Sequence, residues 1–327
     1  MNQDPSFAKR VCSLLAIFGL SIGALFFVTR TREKNFAALF SPQKAVTVVT
    51  VMYPSDAPSH PDSQITHTRQ LPQEPEILAH SFLVQLMGDD TPLLQRRQNK
   101  QMRPASLTKI LTSLIAREEL DIDASVVFSE FAKAAGEKES SVPKGQAFLR
   151  DDAVRFALIE SANDAAVALA EAIGRKRGAF SFQDASILFK IAANQKARQL
   201  GMANSQFENP TGLDHEDHYT TAQDMMRLVS YISEHHPELW EFSRAIDADI
   251  TSLDNHTYHI KATNQLLSEF PGLIGGKTGL TDAAKGALIL LYPARPDRTA
   301  VIIILGSDNR FQDGRQLIRW FEEAFKE

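Results

Sequence analysis

The sequence predicts an α+β fold: an antiparallel sheet flanked by helices, with a largely helical subdomain, preceded by one N-terminal membrane-spanning helix. Three observations carry this expectation. Strand-like apolar runs stand at both ends of the region 77–327, amphipathic helical periodicity fills the stretch between them, and a charge-free apolar run lies near the N-terminus.

The N-terminal run Val11–Val28 is eighteen residues without a charge, the lower limit for crossing a bilayer. Lys9 and Arg10 precede it and Arg30, Arg32 and Lys34 follow, so flanking charge does not fix its orientation. No small-x-small cleavage site follows directly, which favours an uncleaved signal-anchor over a cleaved signal peptide. Residues 1–10 then form a short tail, 11–28 the anchor and 29–76 a stalk. Within the stalk, Ala45–Tyr53 is rich in β-branched residues and reads as a short strand, while proline-rich Pro54–Pro75 suits extended chain.

The domain proper begins at about residue 77. Ile77–Met87, the turn Gly88-Asp89-Asp90 and Pro92–Arg96 read as two strands joined tightly. A helix starts near Ser106, with Ile110, Leu111, Leu114 and Ile115 on one apolar side. Asp151–Ser161 and Asp164–Ile173 are expected as helices around Ser161-Ala162-Asn163, and Gln183–Leu200 as another closed by Gly201. Thr221–His235 is a further amphipathic helix. Ala284–Tyr292 and Thr299–Gly306 form a hairpin of buried strands, and a last helix from about Gln312 packs on that sheet through Leu317, Ile318, Phe321, Ala324 and Phe325.

Composition excludes several classes of function. A net charge of −5 over 327 residues gives no basic field for nucleic acid. Cys12, the single cysteine, sits in the apolar run and can form neither an intramolecular disulfide nor a thiolate cluster. His215 and His218 in Asp214-His215-Glu216-Asp217-His218 invite a zinc reading, but they lack the helical i, i+4 spacing of a His-Glu-x-x-His site. No metal or cofactor is expected.

The chemistry lies in three short motifs in fixed order: Ser106-Leu107-Thr108-Lys109, Ser161-Ala162-Asn163 and Lys277-Thr278-Gly279. A serine hydroxyl is a weak nucleophile that needs a base, and on a helix a lysine three residues on shares its face. Alone, Ser-x-x-Lys is weak evidence, since a capping serine followed by a surface lysine looks the same. The three together are the signature of the penicillin-recognising serine enzymes. PASLTKILT, SANDAAVALAE, FENPTGLD, YTTAQDM and GGKTGLTDAA closely resemble the serine D-alanyl-D-alanine carboxypeptidases, the low-molecular-mass penicillin-binding proteins, over roughly Ile77–Phe325.

That resemblance implies roles. Ser106 would be the nucleophile, Lys109 its general base and Ser161 a proton relay. Asn163 would orient Lys109 and the substrate carbonyl, while Lys277 and Thr278 would line the strand edge beside the substrate. Gly279 would leave room for the substrate backbone. The N–H groups of Ser106 and Leu280 would form the oxyanion hole, and Arg310 would bind the substrate's terminal carboxylate. Lys109 must be neutral to act, yet an ordinary lysine with a pKa of about 10.4 is neutral only about 0.04% of the time at pH 7. Burial and the charge of Lys277 are expected to supply the shift. Two positions depart from the family pattern: Thr211 stands where histidine is common, and Lys285 where glycine is usual.

The implied activity is removal of the terminal D-alanine from peptidoglycan stem peptides, with β-lactams acylating Ser106 as mimics. Endopeptidase action on cross-links and a catalytically silent wall- or penicillin-binding protein are the alternatives. No Glu-x-x-Leu-Asn follows Asn163, which argues against a β-lactamase. The expected location is the cell membrane, anchored through residues 11–28, with the domain on the extracytoplasmic side.

Overall fold

The computed structural model describes residues 48–50, 68–294 and 298–325. The tail and the apolar run Val11–Val28 lie outside them, and no helix among the described residues is long and apolar enough to cross a membrane. Val48–Thr50 (β1) and Thr68–Gln70 (β2) pair as a two-stranded sheet. The strand expected within Ala45–Tyr53 is therefore present at its centre. Thr68–Gln70, placed in the extended stalk by sequence, is instead its partner strand.

The remaining elements follow in order. β3 (Ser81–Leu86) and β4 (Leu94–Arg96) open the domain, with Gly88 supplying a φ of +86° in the turn between them. The 3₁₀ turn Ala105–Leu107 runs into α1 (Thr108–Glu119). β5 (Ser125–Val127), α2 (Glu130–Lys133), β6 (Ala147–Leu149), α3 (Arg150–Arg155) and a π-helical turn, Phe156–Glu160, lead to α4 (Asn163–Lys176) and α5 (Phe182–Gln199). α6 (Ala222–His235) and α7 (Glu238–Ser243) precede β7 (Asp247–Thr251), β8 (Thr257–Lys261) and α8 (Leu266–Glu269). The chain ends in β9 (Gly275–Thr281), β10 (Lys285–Ala294), β11 (Arg298–Ser307) and α9 (Arg310–Ala324).

The main sheet is antiparallel throughout, in the order β4-β3-β11-β10-β9. Its middle is made where the two ends of the domain meet, with Val84 of β3 opposite Ile302 of β11. The apolar runs of β10 and β11 are continuous because both faces are covered. Side chains alternate across a strand, so Val301, Ile303 and Leu305 enter the core shared with α1, α4 and α6. Ala300, Ile302 and Ile304 enter the other core with Leu317, Ile318 and Phe321 of α9. Asp313 ties this helix down, accepting from Leu78 N (2.8 Å) and Ser307 Oγ (2.6 Å).

Two features place the site. Every residue from Thr108 to Ala116 is buried, so α1 is the central helix, and the 3₁₀ turn that leads into it packs against β9, the edge strand of the sheet. The π-helical turn, packed through Phe156 edge-on to Phe128 and Phe148, delivers Ser161 to the same place. The small hairpins β5–β6 and β7–β8 were not expected from sequence. In the second, only Ile250 and Ile260 are buried, too few to impose a visible period.

Candidate active site

The turn that carries Ser106 is strained and gripped from behind. Ala105 has a φ of +48°, a left-handed conformation costing a non-glycine residue roughly 1–2 kcal/mol. Its carbonyl accepts from Thr108 Oγ1 at 3.0 Å. Gly212, itself at φ +86°, lies so close that a Cβ there would fall 1.8 Å from Ala105 O. Ser106 is thereby held half-buried at the mouth of the cleft.

Lys109 is fully buried, and its Nζ reaches Ser106 Oγ at 2.9 Å, Asn163 Oδ1 at 2.7 Å and Thr211 O at 2.8 Å. An ammonium would donate to all three. A neutral amine has two hydrogens for the amide and carbonyl oxygens, leaving its lone pair toward the serine hydroxyl. Burial drives its pKa well below the lysine range, the charge of Lys138 adds to this, and Asp164 opposes it. Lys138, a residue outside the three motifs, adds its charge to the expected effect of Lys277, whose repulsion with Lys109 is mutual. Asn163 is oriented by its Nδ2 donating to Gly136 O (3.1 Å) and its N–H to Lys138 O (2.9 Å).

A second serine–lysine pair faces the first. Ser161 closes the π-helical turn at φ +64°, and its Oγ accepts from Lys277 Nζ at 2.7 Å. Lys277 is buried as deeply as Lys109. Its pKa is likewise well below the usual range, through burial first and then the charges of Lys109, Lys138 and Arg310. Lys277 sits on β9 with Thr278, whose Oγ1 is 2.6 Å from Thr263 Oγ1.

Gly279 has a different reason from the one expected. A Cβ there would come 3.0 Å from Ser106 N and from Ala105 Cβ, so the glycine makes room for the nucleophile's own turn. This packing sets Leu280 next along the edge strand, with its side chain 61% exposed. Arg310 begins α9. Its guanidinium lies 4.5 Å from the Phe311 ring centroid, and its Nε is buried with no hydrogen-bond partner among the described residues.

Of the nine residues singled out by sequence, Ser106, Lys109 and Asn163 are joined by hydrogen bonds, Ser161 is bonded to Lys277, and Gly279 packs on the Ser106 turn. Thr278 and Leu280 flank Gly279 on β9, and Arg310 lies against Gly286 of β10, where its charge acts on Lys277. What sequence missed is mostly backbone: Thr211 O, Gly136 O and Lys138 O. The segment Gly136–Lys138 is fixed by Asp164, which accepts from Ser140 N, Ser140 Oγ and Lys133 Nζ. His218 is buried against Thr108, and among the described residues no group of three or more His, Cys, Asp or Glu side chains comes together in a way that could hold a metal ion. Lys285 has a φ of +58°, the left-handed region that favours glycine, and its Nζ pairs with Asp308 Oδ1 at 2.6 Å.

Comparison with known proteins agrees with this geometry. The chain is 28% identical over 240 residues to D-alanyl-D-alanine carboxypeptidase DacF of Bacillus subtilis, a match covering 72% of this chain and 59% of that one. It is 27% identical over 300 residues to the D-alanyl-D-alanine endopeptidase of Pseudomonas aeruginosa, covering 90% and 89%. The crystal structure of D-alanyl-D-alanine carboxypeptidase from Mycobacterium tuberculosis superposes with a TM-score of 0.67 at 25% identity, over 76% of this chain and 93% of that one. Residues 68–308 match the sequence profile described as D-alanyl-D-alanine carboxypeptidase, and the chain belongs to that family.

Proposed function

We propose that this protein is a serine DD-carboxypeptidase that removes the terminal D-alanine from peptidoglycan stem peptides. The observation that carries the reading is the buried Lys109 amine, 2.9 Å from Ser106 Oγ and fixed by two further acceptors. Neutral Lys109 takes the Ser106 proton as Oγ attacks the carbonyl carbon of the scissile peptide bond. The developing oxyanion is received by the N–H groups of Ser106 and Leu280. As the C–N bond breaks, the proton taken up by Lys109 passes by way of Ser161, held in place by Lys277, to the departing amine of D-alanine, leaving Lys109 neutral. Water then attacks the acyl-enzyme and regenerates Ser106.

Arg310 supplies paired donors for the carboxylate of the departing residue. β-Lactams present a similar carbonyl and acylate the same serine. Attachment to the cell membrane through residues 11–28 would keep the domain on the extracytoplasmic side, where this substrate lies. The second reading is endopeptidase cleavage of cross-links, favoured by the Pseudomonas relative whose match extends over nearly the whole of both chains.

Fluorescent penicillin should label the wild type and fail to label Ser106→Ala. Labelling that survives the substitution would refute Ser106 as nucleophile, and a wild type that is never labelled would point to a silent binding protein. Mass spectrometry of products should then show loss of one D-alanine from a pentapeptide. Cleavage of cross-linked muropeptides in preference would establish the endopeptidase reading instead.

A further inference from the structure

His218 is buried, takes no part in the proton transfers above, and touches the nucleophile's turn from behind. Its Nε2 lies 3.0 Å from Thr108 Oγ1, and its Nδ1 faces the Glu208 N–H at 3.5 Å. Phe207 packs edge-on to the imidazole, with ring centroids 5.6 Å apart. Burial holds its pKa down at about 4, with Glu208, Asp214 and His215 the titratable groups facing it, so the ring is neutral at neutral pH.

The polarity of the chain is fixed. Glu208 N–H can only donate, so Nδ1 is the acceptor and Nε2 carries the proton. Thr108 Oγ1 accepts that proton's hydrogen bond and donates its own to Ala105 O at 3.0 Å. The peptide linking Ala105 to Ser106 is planar and trans, so its carbonyl and its N–H point to opposite sides. Holding Ala105 O toward Thr108 and Gly212 therefore turns Ser106 N–H toward Gly279 on β9, where Leu280 follows.

We propose that His218, acting through Thr108, is a positioning residue for the oxyanion hole, setting the direction of the Ser106 N–H. This rests on the acyl-transfer reading above. It assigns to His218 an effect on the transition state and none on ground-state binding, because the oxyanion exists only as the bond forms.

The test uses the full chain and two readouts, penicillin acylation rate and steady-state turnover of a peptide ending in D-Ala-D-Ala. Thr108→Val, close in shape but without the hydroxyl, and His218→Phe should lower the acylation rate and kcat on the order of tenfold to a hundredfold, with KM within about twofold. Thr108→Ser and His218→Gln, which keep a donor in place, should recover to within about threefold of wild type. The double variant Thr108→Val/His218→Phe should lose no more than the worse single, since His218 acts through Thr108. Wild-type rates in Thr108→Val, a change in KM alone, or losses that multiply in the double variant would overturn the proposal. Should His218→Phe not fold, Thr108→Val decides. A wild type that penicillin does not label would overturn the acyl-transfer reading and this inference with it. Equal labelling of wild type and Thr108→Val overturns the inference alone.

Discussion

Lys109 and Lys277 each bury an amine against a serine hydroxyl, and neighbouring positive charge makes protonation of either less favourable. For Lys109 these charges are Lys277, with which the repulsion is mutual, and Lys138, which lies outside the three motifs. Removing that charge as Lys138→Met takes away an influence that lowers the Lys109 pKa, so the pKa rises and the neutral base appears only at higher pH. The acid limb of the penicillin acylation rate should therefore move to higher pH. A limb that stays in place or moves down would mean that Lys138 does not act on the base. The motif residues themselves were legible because the chemistry needs those side chains: two hydroxyls, two amines, an amide. The groups that complete the site, Thr211 O, Gly136 O and Lys138 O, are peptide carbonyls that any residue type can supply, so no pattern of residue types reveals them.

The segment Asn209–Leu213 works as a single brace for the nucleophile. Asn209 Oδ1 accepts from the N–H groups of Thr211 and Gly212, which turns Thr211 O toward Lys109 and brings Gly212 onto Ala105. This accounts for tolerance of threonine at position 211: its contribution to Lys109 is its carbonyl, not its side chain. Gly212→Ala has no comparable freedom. Its Cβ would stand 1.8 Å from Ala105 O in a backbone at φ +86°, so either Gly212 or the strained Ala105 must move. Penicillin acylation should fall on the order of a hundredfold or more, the loss expected when a reacting group shifts by about 1 Å. Near-normal acylation would show that the turn repacks freely. At this scale the long elements were readable. The apolar runs of β10 and β11 and the amphipathic faces of α6 and α9 each carry several buried residues in period. Three-residue strands such as β5 and β6 carry too few, and the helix expected to begin near Ser106 opens instead as a 3₁₀ turn.

Across the whole molecule, catalysis depends on parts of the chain that are far apart in sequence. β3 closes on β11, and α9 is locked by Asp313 to both Leu78 and Ser307, so the edge strand bearing Lys277 stands on a sheet buried on both faces. That closure was foreseeable from strand-like runs at the two ends of the domain. The proposed attachment of the domain to the membrane rests on the composition of Val11–Val28 alone. An α-helix of eighteen residues would span about 27 Å, just short of a hydrocarbon core of about 30 Å, and lysine and arginine flank the run in the sequence on either side. The full chain should therefore sediment with membranes and withstand alkaline carbonate, while a chain lacking residues 1–28 should remain in the supernatant and still be labelled by penicillin at Ser106. Release of the full chain by carbonate would show that the segment is no anchor. Loss of labelling in the shortened chain would show that the site depends on that segment, whereas among the described residues the hydrogen bonds of Lys109 and Lys277 run to Ser106, Asn163, Thr211, Ser161 and Thr278.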